Sequence, residues 1–421
     1  MRDLQRRSFL KAGLAAAVAA QAAGSPPPDT RRRVLWVDVD DVGWRFLDMA
    51  PTPTVDRLRA IGLTFTRFWG GPSCSNFRAR ALSGLPAYHP KNLVGGILKK
   101  GADPGWSLPA TTRLLPAILP GRATHRGKWH LARADHFAHP IECGFDEATG
   151  SLFNLKTSYF AWRKFDGLSG TEETTTVYAT LDTVGDAWQD VQDGVEFVHV
   201  SLNAMHGPLH VPPPHLHTQG DPTEKIGLAI AVLEAADTAL ARLFAAAVRN
   251  GYTILLVADN GTTDDLAGEK AKGSLYEPGI RVPLIVAGPD VVRGTSGALV
   301  QATDLYATVA ESMGLFLPLS RHHHSFWGRC VGDPTWQPRR TAFVDKFPNG
   351  GKPPKQKNWQ RAIRDERWKL VARPGNEAWR YQLFDLETDP TESENRVGTG
   401  GAADQAFERL VARLPDLPSP S

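Results

Sequence analysis

Two apolar runs that each stop on oxygen-bearing side chains restrict this chain more than any other feature. Val34-Leu35-Trp36-Val37 ends on Asp38, Asp40 and Asp41, and Thr253 to Val257 runs straight into Asp259-Asn260-Gly261. Short uninterrupted apolar runs read as strands buried on both faces, which is the habit of parallel sheets covered by helices. Helical patterns alternate with them. Val55, Leu58 and Ile61 fall at helical spacing ahead of Gly62, and Ile226 to Arg249 carries Leu228, Val232, Ala236, Leu240 and Leu243 on one stripe ahead of Asn250-Gly251. Asp304 to Met313 forms a further helix, with Asp304 read as its cap, and Val195 to Ser201 and Leu284 to Ala287 form further strands. This alternation predicts an α/β fold, a large mixed, mostly parallel sheet sandwiched by helices. Ligands of such sheets lie beyond the carboxyl ends of the strands, where the acidic residues stand.

From about Thr341 the pattern changes to short strands and turns: Ala362-Ile363, the turn Asp365-Glu366-Arg367, Trp368-Lys369-Leu370-Val371, and Tyr381-Gln382-Leu383-Phe384. The tail is therefore expected to form a small C-terminal antiparallel α+β subdomain, closed by a helix around Gln405 to Leu414. Lys and Arg number 48 against 45 Asp and Glu. That balance offers no basic field for nucleic acid, so any anion must be held locally. The three cysteines, Cys74, Cys143 and Cys330, cannot all pair within one chain.

The N-terminal run Arg6-Arg7-Ser8-Phe9-Leu10-Lys11, the small apolar stretch Ala12 to Ala23 and Ser25-Pro26-Pro27-Pro28 resemble a twin-arginine export signal, with Ala20 and Ala22 as an AxA cleavage site. The apolar stretch is shorter than the roughly 20 residues of a spanning helix, so the expectation is an exported, periplasmic or extracellular protein with no stable membrane insertion.

Carboxylates gathered from two strand ends can supply the several oxygens that a hard divalent cation needs. Around them stand Val37-Asp38-Val39-Asp40-Asp41-Val42-Gly43-Trp44, Thr52-Pro53-Thr54-Val55-Asp56-Arg57-Leu58, Gly127-Lys128-Trp129-His130-Leu131 and Gly144-Phe145-Asp146. Met205-His206-Gly207-Pro208-Leu209, Asp259-Asn260-Gly261, Lys272 with Leu275-Tyr276-Glu277, Arg281-Val282-Pro283 and Leu383-Phe384-Asp385-Leu386-Glu387-Thr388-Asp389-Pro390 follow. In order and spacing these segments resemble the sulfatases of the alkaline phosphatase superfamily from about Arg33 to Val397. The resemblance implies an alkaline phosphatase-like fold and a metal-dependent hydrolase of sulfate esters. It implies that Asp40, Asp41, Asp259 and Asn260 hold calcium, or magnesium as in some members. By the same resemblance Lys128 and Lys272 grip the sulfate oxygens, His206 protonates the leaving oxygen, and His130 supports the nucleophile and its later release. The implied substrate is a sulfated small molecule or glycan, and the loops Asp135 to Glu142, Asn154 to Glu173 and His210 to Glu224 are expected to line the mouth of the pocket. The implied division is 1–28 export signal and linker, 29–336 catalytic domain and 337–421 C-terminal subdomain.

The nucleophile segment departs from the family pattern. Sulfatases carry CxPxR or SxPxR, whose Cys or Ser a formylglycine-generating enzyme oxidises. Here Cys74-Ser75-Asn76-Phe77-Arg78 keeps Cys74 and Arg78 but places Asn76 where Pro is expected. Three readings follow: Cys74 becomes formylglycine; it acts as a thiolate whose pKa is lowered at a helix N-terminus beside Arg78 and a metal; or the site only binds an anion or glycan. Arg78 holds the nucleophile or neutralises charge in each. Phosphodiester or phosphonate monoester hydrolysis is the alternative chemistry for the same site.

Overall fold

The computed structural model describes residues 32–99, 107–349, 352 and 354–416. The expected export signal lies outside the described residues. Residues 32–421 form one compact unit.

Ten strands build the large sheet: β1 (Arg33–Val39), β2 (Leu63–Trp69), β3 (Ala123–Gly127), β4 (Glu147–Gly150), β5 (Trp162–Asp166), β6 (Thr171–Thr175), β7 (Phe197–Leu202), β8 (Tyr252–Ala258), β9 (Leu284–Ala287) and β10 (Gly294–Gln301). Their order is β10-β2-β9-β8-β1-β7-β3-β4-β5-β6. The central block from β8 to β4 is parallel, while β9 runs antiparallel to β8 and β2. The sheet is thus mixed and mostly parallel. β1 is its middle, and register explains why its acids gather with others. Val39 lies opposite both Leu202 of β7 and Ala258 of β8, so the three strands end level and present Asp40, Asn203 and Asp259 at one rim.

Helices α1 (Pro53–Ile61), α2 (Cys74–Ser83), α3 (Ala179–Gln192), α4 (Lys225–Arg249) and α5 (Asp304–Ser312) cover the sheet. The α4 stripe is buried at Val232, Ala236, Leu240 and Leu243, as its periodicity predicts. Its neighbour Asp237 accepts the free N–H groups of Thr54 and Val55 at 2.9 and 2.8 Å, so a carboxylate from α4 serves the positive end of α1. Asp304 does not cap α5. Its carboxylate takes the N–H groups of Gln301 and His324 and the Nε of Arg339, tying a loop to the helix instead.

The tail forms the second sheet, β11 (Ala342–Lys346), β12 (Gln360–Arg364), β13 (Trp368–Pro374) and β14 (Trp379–Asp385), antiparallel in sequence order, with α6 (Ala402–Val411) against β13. The expected turn closes because Asp365 Oδ1 accepts the N–H groups of Arg367 and Trp368. This sheet reaches back to the large one. Arg80 of α2 donates to Gly70 O and to Phe343 O of β11, Lys346 Nζ donates to Gly273 O, and Asn76 Nδ2 donates to Asp345 O.

Candidate active site at the strand ends

Most of the expected site residues occupy the end of a central strand or the turn just beyond it; Cys74 and Arg78 lie on α2 and Lys272 in the loop before Glu277. Asp40 and Asp41 follow β1, Lys128 and His130 follow β3, His206 follows β7, and Asp259 and Asn260 follow β8. Gly127 enables the turn into Lys128: its φ is 102°, and a Cβ there would stand 2.1 Å from Ser201 O. Asp41 and His130 themselves sit at positive φ, 62° and 54°, which costs backbone energy that side-chain packing must offset. Cys74 is the first residue of α2, fully buried, after an extended Ser73.

The structure brings these residues together. One ligand atom each from Asp40, Asp41 and Asp259 lie within 4.8 Å of one another, and so do atoms of Asp40, Cys74 and His206. Lys128 Nζ pairs with Asp40 Oδ2, Lys272 Nζ with Asp41 Oδ1, and Arg78 Nη2 lies 4.0 Å from Asp259 Oδ2. Three buried carboxylates thus face three cations, of which Lys272 alone is partly exposed. Burial pushes Asp259 well above the usual carboxylate range, helped by Asp40 and Asp41. Burial acts on Asp40 in the same sense, but Lys128, together with Asp259, His206 and Lys272, holds it well below.

The donor set fits a hard cation. Asp40 Oδ1, Asp259 Oδ2 and Asn260 Oδ1 are buried and accept no hydrogen bond among the described residues. Orphaned buried acceptors are costly, and three together in one acidic pocket match the needs of a divalent ion. Asn260 is oriented for this, since its Nδ2 donates to Asp41 Oδ1 at 2.7 Å and so leaves Oδ1 as the open acceptor.

The two histidines are set differently. His130 Nε2–H donates to Leu98 O at 3.0 Å, and burial with the Lys128 charge holds the ring well below its usual pKa. The ring is neutral, with Nδ1 a buried lone pair that has no partner. His206 Nδ1–H donates to Gly207 O at 2.7 Å, which makes Nε2 its acceptor, and burial and Lys128 lower it too. Burial, with Asp40 beside it, pushes the Cys74 thiol up to about 12.

Asn76 fills the position of the expected Pro with a tether. It is buried, and its Nδ2 donates to Val94 O and Asp345 O, both at 3.1 Å.

One layer below the rim lies a polar chain that sequence reading missed. Asp38 takes Trp36 Nε1 at 2.6 Å, His199 Nε2 at 3.0 Å and Ser201 Oγ at 3.1 Å, and His199 Nδ1 meets His125 Nδ1 at 3.0 Å. Arg78 Nη1 binds Ser201 Oγ at 2.5 Å and Lys128 O at 2.8 Å, and lies 3.7 Å from Asp38 Oδ2. Asp38, His199 and Ser201 therefore fix the guanidinium that faces Asp259. Their signal in the sequence is polar residues at alternate positions of a buried strand, Phe197-Val198-His199-Val200-Ser201-Leu202.

Beside His130 a cleft of about 950 Å³ opens to solvent. It draws on Asp135 and Phe137 and on the segment from Asn154 to Glu172, as expected of the mouth. Its walls are completed by residues 97–99, 151–153 and Thr174, and no residue between His210 and Glu224 lines it, contrary to expectation. Part of the expected loop is instead the β5–β6 hairpin.

Residues 32–315 match the family described as Sulfatase, and residues 268–418 match the N-sulphoglucosamine sulphohydrolase C-terminal family. Arylsulfatase J of Mus musculus is 27% identical over 350 residues, 73% of this chain and 56% of that protein. Arylsulfatase K of Xenopus laevis is 25% identical over 40% of this chain and 32% of its own length. The chain thus spans about half or less of these relatives. A crystal structure of Ps i-CgsB in complex with k-i-k-neocarrahexaose shares the fold at a TM-score of 0.74 and 19% identity, covering 91% of this chain and 92% of that one. A second, solved with its substrate D-glucosamine-2-N,6-O-disulfate, has a TM-score of 0.69 at 16% identity, covering 91% and 96%.

Proposed function

With the first match spanning more than half of its length, the chain belongs to the sulfatase family, and from that premise we propose that it hydrolyses sulfate esters at the pocket around Cys74. The observation that carries this reading is the meeting of Cys74, Asp40 and His206 atoms within 4.8 Å, hemmed by Lys128, Lys272 and Arg78. A sulfuryl group in transit is stabilised mainly by preorganised positive charge, and these three cations supply it. Asp40, Asp41, Asp259 and Asn260 would hold the divalent ion, most simply calcium, with magnesium the other candidate; bound there, it adds Lewis-acid stabilisation of the sulfate oxygens.

The nucleophile in this reading is the hydrated formylglycine made from Cys74 by a formylglycine-generating enzyme. One of its hydroxyls forms the new S–O bond, its proton passing to the Asp40 carboxylate that lies within 4.8 Å of the Cys74 position, while the ester S–O bond breaks and the ester oxygen leaves with a proton from Lys272. Lys272, raised above its usual value by Asp41 and Asp40 despite burial, keeps a proton for that step, with His206 beside it. His130 Nδ1 then takes the proton of the second hydroxyl as sulfate departs, which restores the aldehyde, and water rehydrates it. Arg78 positions the nucleophile through its anchorage to Ser201 and Lys128 O.

The substrate proposed is a sulfated glycan. Two fold relatives were crystallised with carbohydrates, and the cleft beside His130 carries Lys99, Lys156 and Arg163 on its walls. An exported, periplasmic or extracellular location, and the division at residues 336 and 337, belong to the same proposal. Mass spectrometry of the Cys74 peptide, from protein made in its native host, tests it together with hydrolysis assays on aryl sulfates and phosphodiesters. An aldehyde and sulfate release support it; an unmodified thiol with neither activity overturns it, and phosphodiester cleavage alone points to the alternative chemistry.

A further inference from the structure

A second concave site lies away from the cleft, where β2 of the large sheet meets the C-terminal sheet. It has a volume of about 490 Å³ and shares no lining residue with the cleft. Arg67 of β2, Arg281 beyond the Glu277–Ile280 turn and Arg364 at the end of β12 face one another across it. Arg281 and Arg364 are both held below the usual guanidinium value, first by burial, which outweighs the opposing pull of Glu277, and then by like charge, Arg364 and Arg67 acting on Arg281 and Arg67 on Arg364. Like charges gathered in one pocket call for an account of their counter-charge.

The buried acids nearby are already committed. Glu277 Oε1 accepts from Trp69 Nε1 at 2.9 Å and lies 3.1 Å from Lys369 Nζ, while its Oε2 lies 3.5 Å from Arg364 Nη1. Lys369 also binds Glu392 at 2.8 Å, so Glu277 and Glu392 balance Lys369 and Arg364. Asp385 is taken by Arg367 at 2.6 Å, and Glu387 lies 3.5 Å from the same guanidinium. Glu366 and Glu387 stand exposed at the rim. Arg67 and Arg281 are left as surplus. Arg281 is fixed by its Nε bond to Thr66 O at 2.9 Å and by the Trp44 ring 5.0 Å away, and it contacts no carboxylate within salt-bridge range. The half-buried Arg67 guanidinium makes no hydrogen bond or ion pair among the described residues. Arg364, 3% exposed, is held in plane by its bonds to Asp365 O and Glu366 O at 3.0 Å each.

We infer that this arginine pocket is a second anion site, for a tetrahedral sulfate or phosphate oxyanion. Planar guanidiniums held by backbone carbonyls present fixed N–H forks, the geometry that oxyanions take in pairs of hydrogen bonds. The volume exceeds that of the oxyanion itself, so the group enters either free or as the sulfate of a larger polyanion. The site is not part of the hydrolytic pocket: none of Cys74, Lys128, His206 or Lys272 lines it.

The test is calorimetric titration of the full chain with inorganic sulfate at low ionic strength, repeated with inorganic phosphate and with a sulfated hexasaccharide. Wild type is expected to bind two equivalents of sulfate. Arg67→Gln keeps only the one that Lys272→Ala loses, and Lys272→Ala keeps only the one that Arg67→Gln loses. Arg67→Lys, which keeps charge without the fork, weakens the second site at least tenfold. Binding of the inorganic ions supports a free-anion site, and binding of the hexasaccharide alone supports a site for a sulfate borne on a glycan. Thermal denaturation gives a separate readout: Arg67→Gln melts no lower than wild type without sulfate, because it loses only like-charge repulsion, and no longer gains stability at this site when sulfate is added. A single sulfate equivalent in wild type without any hexasaccharide binding that Arg67→Gln removes, two sulfate equivalents in Arg67→Gln, or equal stabilisation by chloride at matched ionic strength overturns the inference.

Discussion

Replacing Asn76 by Ala tests how the altered nucleophile segment is held. The side chain donates to Val94 O and Asp345 O, both from buried residues, at 3.1 Å. Each such bond contributes about 1 kcal/mol net, and a buried carbonyl stripped of its donor costs about 1–3 kcal/mol. Ala regains up to roughly 0.5 kcal/mol as a better helix former within α2. The balance is a loss of about 2–3 kcal/mol, or roughly 30- to 150-fold in the ratio of folded to unfolded chain. Urea unfolding should show a lower midpoint with an unchanged slope, since the surface exposed on unfolding is the same. Asn76→Asp should be worse, because it sets a carboxylate against two carbonyl oxygens. Turnover should fall in both, as α2 carries Cys74 at its first position. An Asn76→Ala chain with the wild-type midpoint would refute the tether and leave Asn76 as a mere occupant of the Pro position.

Burial pushes Asp345 up to about 6 from 3.8, against the pull of Arg80 and Trp359. The folded chain holds this proton more tightly than the unfolded one. The stability it contributes is full below pH 3.8 and is lost as pH rises through 6. Asp345→Asn cannot ionise, so its stability relative to wild type should rise by up to ~3 kcal/mol between pH 4 and pH 7.5; a pH-independent difference in melting curves would count against this. For the metal, Asp259→Ala removes one orphaned oxygen and should lose the bound divalent ion by elemental analysis; full occupancy in that variant would show the ligand assignment to be wrong.

The site acids were readable because each follows an uninterrupted apolar run, and parallel register then brought the run ends level. Helix α4 was readable from its stripe. The β5–β6 hairpin was not, because Thr171-Glu172-Glu173-Thr174-Thr175 is an edge strand open to solvent, with no buried face to impose alternation. β10 was obscured by Gly294 and Gly297, which carry no side chain to mark a face. Asp38 was visible as a residue but not as a function, since its partners His199 and Ser201 come from a strand about 160 positions away. The burial of Cys74, which pushes its thiol up where a helix N-terminus, Arg78 and a metal would lower it, was not legible, because the segments that enclose it are far away in the chain.

The bonds from β11 to α2 also impose an order in time. Cys74 is sealed in the folded chain, and Asp345, whose carbonyl anchors Asn76, is made 271 residues after it. At about 5–20 residues per second, on the order of tens of seconds separate the synthesis of the two. If Cys74 is converted as proposed, the converting enzyme would work on a chain whose last sheet has yet to close, and its opportunity would end when that sheet docks. Changes that hasten the docking of β11 would lower the fraction of altered Cys74 without touching either the cysteine or the enzyme.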